Sequence, residues 1–468
     1  MCTMKWFLAG GLLGLVLSGQ AMAQQTISSP LRQPTSVQPA AFASEDYVTF
    51  AQETSGGTAT ESPSNKPSTA QGAEQSQVAV RQGTCCDTSC CAGTSCEGRC
   101  ECEAFKLFDG PWLKCEGIDI RGWVDAGYTW NPDYPGRKFN GPVGYNDRAN
   151  EAELNQLYFI MEKVTKTDGC GWDIGGRCDL LYGTDRRFPQ VAQGTEWDSE
   201  WNNNRFYGLV MPQMYCDVAR NDTVFRFGHF LAPCGYESVM APENFFYSHS
   251  YGFLYGQPTT LTGGMAIQKI NDQLSVNCGM DNGWNDWNNP TDNPGVLGGF
   301  NWTSCDQRRT LAFESFIGQQ EVSPGINGNR THACLVFTQK IGCNWRYALE
   351  TNYGYQDHAV VVRRGRAHGD WFGVANYLFY DINDCWSFGM RYEWFNDGDG
   401  VVVSAVGPPS TSPALSDYSA LSFGLNYKPN KNVVVRTEMR YDHSTAPVFE
   451  NNTTQDQFLW ATDLIVRF

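Results

Sequence analysis

The sequence predicts an all-β protein: a transmembrane antiparallel β-barrel of about sixteen strands, within a range of fourteen to eighteen. Three observations carry this. Residues 457–468 alternate strictly in character. Short and long polar connections alternate along residues 117–468. The chain combines 13% aromatics and 48 glycines with a mean hydropathy of −0.41, too polar for a helical membrane protein.

At the closing stretch, Phe458, Trp460, Thr462, Leu464, Val466 and Phe468 fall on one side. Asp463 and Arg467 fall on the other, with Leu459, Ala461 and Ile465. A period of two places alternate residues on opposite faces of a strand. A soluble edge strand would alternate too, so the rest of the chain has to decide.

Taken in order, residues 1–23 read as a secretory signal peptide. Lys5 gives a positive start, Trp6 to Leu17 an apolar run, and Ala21-Met22-Ala23 a small-x-small cleavage site. The run is too short to span a bilayer. Residues 24–84 are rich in Gln, Ser, Thr, Pro and Ala. They bury too little apolar surface to offset chain entropy, and a disordered linker is expected.

Residues 85–116 form a Cys-rich segment with Cys85, Cys86, Cys90, Cys91, Cys96, Cys100, Cys102 and Cys115. Export permits disulfides. A disulfide-stapled knot is the plainest reading, with crosslinking to a neighbouring chain as an alternative. The spacing does not supply two CxxC-like pairs for zinc, and no metal or other cofactor is expected. Of 18 Cys, Cys2 leaves with the signal, so the mature count is odd. Eight cysteines allow about 105 pairings, and the connectivity is not readable.

From residue 117 the alternation recurs. Ile118, Ile120, Val124, Ala126, Tyr128 and Trp130 oppose Asp119, Arg121, Trp123 and Asp125. Trp345, Tyr347, Leu349, Thr351, Tyr353 and Tyr355 oppose Arg346, Glu350 and Asn352. Trp386, Phe388, Met390, Tyr392 and Trp394 oppose Arg391 and Glu393. Val433, Val435, Thr437, Met439 and Tyr441 oppose Arg436, Glu438, Arg440 and Asp442. Aromatics near strand ends are the placement of interfacial girdles.

Short turns are expected at 165–171, 220–222, 271–273, 305–308, 340–343, 381–384 and 429–431. Between them lie loops at 131–151, 184–204, 233–256, 284–294, 320–331, 356–369, 397–416 and 443–456. That asymmetry belongs to outer-membrane barrels, with turns on the periplasmic side. The count of sixteen requires the weak stretch 295–304 to be a strand.

The stretch from His229 to Tyr251 carries a resemblance. It reads HFLAPCGYESVMAPENFFYSHSY and includes Gly235, Tyr236, Glu237, Pro242, Asn244, Phe245, Tyr247, Ser248 and His249. With the approach Val224–Gly228 and the opening Gly122–Tyr128, it resembles the OmpL-like beta-barrel porin family of planctomycete outer-membrane proteins. The resemblance covers roughly 117–468 and implies an outer-membrane barrel with a porin role.

The inward faces supply pore-lining candidates: Arg226, Arg346, Glu350, Arg391, Glu393, Arg436, Glu438, Arg440, Asp463 and Arg467. Opposite charges on one wall set up a transverse field, or simply form a lattice of salt bridges. The loop 233–256 either folds inward as a constriction or packs on the rim. Staples are expected between Cys334 and Cys343, Cys170 and Cys178, and Cys216 and Cys234, with free lipid-facing thiols as the competing reading.

No enzyme is expected. Ser248, His249 and Ser250 offer hydrolase residue types, but neighbours on an extended loop point apart, and no G-x-S-x-G elbow is present. The leading function is a porin-like channel for passive diffusion of small polar solutes. The alternative is a structural envelope barrel crosslinked through its cysteines. Expected partners are outer-membrane lipid, small polar solutes and, by analogy, further copies of the chain. A net charge of −16 argues against nucleic acid.

Overall fold

A computed structural model of the protein describes residues 104–167, 170–189, 206–289, 291–323, 325–362, 365–403 and 416–468. The expected signal peptide, the linker, and Cys85, Cys86, Cys90, Cys91, Cys96, Cys100 and Cys102 lie outside these residues. Cys115, the remaining member of that cluster, is a free and exposed thiol rather than a partner in a disulfide. It sits on a short helix, α1 (Pro111–Glu116), which starts with Pro and ends at Gly117 in the left-handed region.

The strands are β1 (Ile118–Trp130), β2 (Ala152–Lys163), β3 (Trp172–Gly183), β4 (Gly208–Val210), β5 (Met214–Arg220), β6 (Thr223–Leu231), β7 (Thr260–Lys269), β8 (Leu274–Asp281) and β9 (Gly295–Thr303). They continue as β10 (Arg309–Ser323), β11 (Ile326–Ile341), β12 (Trp345–Val362), β13 (Gly365–Asp381), β14 (Trp386–Asp397), β15 (Ser416–Asn430), β16 (Val433–Ser444) and β17 (Asp456–Arg467).

Every strand pairs antiparallel with its sequence neighbours, with one interruption. β4 and β5 both pair with β3, on either side of the break at residues 211–213. They are two pieces of one stave, so seventeen strands make sixteen staves. Pairing of β1 with β17, from Trp123 opposite Arg467 to Trp130 opposite Trp460, closes the barrel. Closure leaves no free sheet edge. The weak stretch is a strand, β9, paired on both sides.

The two-residue period holds in three dimensions. On β17, Phe458, Trp460, Leu464 and Val466 are exposed, while Leu459, Ala461, Asp463 and Ile465 are buried. The outward face is aromatic at both ends of the wall. Trp345 packs on Tyr380 and Trp386 on Tyr427 at the turn end, and Phe372 meets Trp394 towards the loop end. Among the described residues, no helix is long and apolar enough to cross a membrane.

Two expected loops prove to be strand. In place of 320–331, β10 and β11 stay paired to Ser323 opposite Ile326. In place of 356–369, β12 and β13 stay paired to Val362 opposite Gly365. The first hairpin is polar and the second surrounds its short apolar run, Ala359–Val362, with polar and Gly residues, and that composition signalled loop. Strands that pair with each other satisfy their own backbone groups, so they can continue in water. Gly325, at φ 75°, supplies the left-handed residue that the first reversal needs.

The expected staples are not formed. Cys170, Cys178, Cys216, Cys234 and Cys334 are free thiols. Cys343 is instead disulfide-bonded, as is Cys385 on the adjacent turn. Cys178 faces Met161 and Met214 across its strands, and Cys216 faces Gly176 and Phe227. No cysteine therefore stands directly opposite either of them.

A loop folded into the lumen as the candidate functional site

The connection between β6 and β7, residues 232–259, does not stand up from the rim. Pro233 and Pro242 deny it backbone donors, and it forms only a 3-10 turn (Ala241–Glu243) and one π-type turn (Gly252–Gly256). It crosses the interior and touches the inward faces of β2, β3, β12, β13, β14, β16 and β17.

Such a loop has a physical problem. Its backbone amides and carbonyls leave water without a sheet partner, and an unpaired buried group costs about 1–3 kcal/mol. The wall answers with charged side chains of both signs. Carboxylates accept the amides: Tyr236 N donates to Glu350 at 2.9 Å, Ser248 N to Glu438 at 2.9 Å and Tyr251 N to Glu393 at 2.6 Å. Guanidiniums donate to the carbonyls. Arg391 reaches Ser248 O at 2.8 Å and Arg440 reaches His249 O at 2.7 Å. One nitrogen of Arg436 reaches the carbonyls of Ala241, Asn244 and Phe246 at 2.9–3.0 Å.

Side chains complete the docking. Ser248 Oγ donates to Glu438 at 2.6 Å and accepts from Arg391 at 2.7 Å and Arg440 at 3.1 Å. Glu237 accepts from Arg391 at 2.7 Å, from the Ser250 amide at 2.7 Å and from Tyr377 OH at 3.1 Å. Burial works against charge on Glu237, but Arg391, His249 and the Ser250 amide outweigh it and hold the carboxyl below its usual range. Tyr251 OH donates to Asp442, Tyr247 OH to Asn155, and Trp371 Nε1 to Gly256 O. Asn244 folds the loop on itself by bridging Ser238 N and Ser238 O.

The apolar side chains dock by shape. Phe245 and Phe246 pack with Phe379, Tyr377 and Tyr236. A Cβ at Gly389 would lie 2.4 Å from the Phe245 ring, and one at Gly424 would lie 3.0 Å from both rings. Glycine leaves the wall flat where the rings land.

The candidates divide accordingly. Glu350, Arg391, Glu393, Arg436, Glu438 and Arg440 converge on the loop backbone. Asp463 is the ion-pair partner of Arg436, and Arg467 reaches Pro242 O at 3.3 Å. Arg226 stands elsewhere on the wall, while Arg346 borders a small cavity together with Tyr236, Phe245 and Phe246 of the loop. Arg226 pairs with Asp217 at 2.8 Å and covers the Tyr215 ring, and Arg346 pairs with Asp381 at 3.1 Å near the turn end. Arg391 and Arg440 are not open to water, at 0% and 1% exposure, whereas Arg346 and Arg467 are half-buried.

Ser248 and His249 do not form a nucleophile and base. Ser248 is committed to Glu438, while His249 Nε2 lies 3.0 Å from Ser238 O and its ring stacks on Tyr145 at 3.9 Å. Burial pushes the His249 imidazole down to about 4.

Two features go beyond the sequence expectations: alternation puts Arg121, Arg177 and Asp179 on inward faces without the Glu162 that links them, and it leaves out Arg330. Glu162 ties Arg121 at 2.6 Å to Arg177, which pairs with Asp179 at 2.7 Å, a charge ladder across β1, β2 and β3. Arg330 lies over the rings of Trp284 and Trp371 and donates to Gln356. It fell inside a stretch read as loop; extending the β11 alternation would have found it.

Residues 117–468 match the family model described as "Putative beta-barrel porin-2, OmpL-like". Among solved structures, the chain is similar to an anion-selective porin from Comamonas acidovorans, with a TM-score of 0.51 and 8% identity over 75% of this chain and 99% of that one. It is also similar to the outer membrane channel DcaP of Acinetobacter baumannii, with a TM-score of 0.49 and 12% identity over 75% and 97% of the two chains. OprB of Pseudomonas putida gives a TM-score of 0.48 and 11% identity over 76% and 96%. No curated protein matches.

Proposed function

The chain belongs to the OmpL-like beta-barrel porin family of outer-membrane proteins, and on that premise we propose that its barrel is a narrow passive channel for small polar solutes. The observation that carries this reading is the loop 232–259, folded into the lumen and bonded to both signs of wall charge. Sixteen staves enclose a lumen wide enough for water. A loop across it reduces the bore and leaves a charged, hydrogen-bonding surface for solutes to pass. The aromatic outward face meets lipid, the short turns face the periplasm, and no cofactor or turnover is involved.

A second reading has its own support. Arg391 and Arg440 are fully covered by the loop, as a plug would cover them. In that case the protein is a structural envelope barrel. Ion conductance in a planar bilayer separates the two. Small, regular current steps from folded protein support the channel. Silence from folded protein, at every voltage tried, supports the plug.

A further inference from the structure

Cys234 opens the infolded loop, and Cys334 lies midway along β11 on its inward face. They are far apart in sequence, yet the fold brings them together. The amide of Gly235, the residue bonded to Cys234, donates to Cys334 Sγ at 3.3 Å. Burial is the main cause that holds the Cys234 thiol well above its usual range, and Cys334 adds to it. Both are nearly sealed from water, at 4% and 3% exposure, within one apolar cluster that includes Phe230, Leu297 and Phe316. The neighbouring polar contact of Cys234 is Gln257 Oε1, at 3.5 Å.

The other described thiols are placed differently. Cys170, Cys216, Cys278 and Cys305 are exposed, and none of the strand registers sets one cysteine opposite another. Elsewhere the chain already carries disulfide linkage, at Cys343 and Cys385. Outer-membrane proteins mature in an oxidising compartment.

We propose that Cys234 and Cys334 are a modification site: they are oxidised to a disulfide that staples the base of the infolded loop to the barrel wall. The oxidant is a protein disulfide of the export compartment. One thiolate attacks it to give a mixed disulfide, and the second cysteine displaces the donor. One S–S bond forms here and one breaks in the donor. This chain loses two protons and two electrons, and the donor leaves as a dithiol. Oxidation takes place before the loop docks, because the docked pair is covered. The finished bond is then shielded from reductants. Its value as a staple rests on the loop reading above, but its existence does not.

The test is peptide mapping of the full protein from native membranes. Free thiols are blocked with N-ethylmaleimide at lysis and again in denaturant, and the protein is digested without reduction. The expected result is one linked peptide pair containing Cys234 and Cys334, which separates with a gain of two hydrogens on reduction. Maleimide on both residues would overturn the proposal, as would a link from either to a different cysteine. Cys334→Ser should leave Cys234 modified by maleimide. If that variant does not assemble, the map of the unaltered protein still decides. In folded Cys334→Ser protein, amide exchange at Tyr236–Ser238 should be at least tenfold faster than in the unaltered protein; an unchanged rate would remove the stapling role. Neither readout uses ion current, so failure here is distinct from failure of the channel reading.

Discussion

Arg436→Ala tests the idea that wall charges hold the loop by its backbone. In the folded protein one Arg436 nitrogen serves the carbonyls of Ala241, Asn244 and Phe246, while the others pair with Asp463. Arg436 is 2% exposed and Asp463 3% exposed. Removing one partner of a buried pair costs about 3–5 kcal/mol, because a charge is left uncompensated. The loop can escape part of this by leaving the wall and hydrating its carbonyls. At about 1.4 kcal/mol per decade, that cost shifts the local opening equilibrium by two to nearly four orders of magnitude. Hydrogen exchange of the detergent-folded barrel, read by mass spectrometry, measures it. Peptides spanning 241–250 should lose protection. Peptides spanning 251–257 should change far less, because Glu393, Asp442 and Trp371 still hold them. Strand peptides serve as the folding control. Unchanged exchange at 241–250, in a barrel that remains folded, would refute the backbone-docking argument.

Three further outcomes follow from the same contacts. Glu237→Gln removes the charge from the Arg391 pair but keeps an acceptor, so its cost should be smaller, about 1–2 kcal/mol; greater loss of thermal stability than in Arg436→Ala would contradict this ordering. Gly389→Leu drives a side chain into the Phe245 ring and should lower the melting temperature of the folded barrel or displace residues 244–247, seen as faster proteolysis there; an unaltered melting curve and digest would count against the close approach. His249 is neutral when folded and charges first in the unfolded chain. Its contribution to stability therefore falls as pH drops from about 6.5 towards 4, and nuclear magnetic resonance of labelled histidine should show no His249 titration between pH 7 and 5.

How much of this was legible depends on where each signal resides. The faces of β17 were legible because lipid-side and lumen-side demands alternate residue by residue, and each side chain reports its own side. β9 was legible only through parity, since its Gly-rich sequence has little alternation of its own. The largely polar ends of β10 through β13 were not legible. Their stability comes from pairing with each other, and polar composition does not distinguish a paired strand from a loop. At the site, the charged types were legible on the wall, but their partners were not. Arg436 and Glu350 bond to backbone, and a carbonyl carries no side-chain signature. Cys234 and Cys334 meet only because the loop turns inward, which is a tertiary decision.

The loop's role in the lumen is the central claim, and single-channel conductance tests it most directly. The mature protein and a variant with residues 243–250 replaced by two glycines would be compared in the same bilayer and salt. The account predicts small steps from the first and steps several-fold larger from the second. Equal conductance from two folded proteins would contradict it, because ions would then pass without meeting the loop.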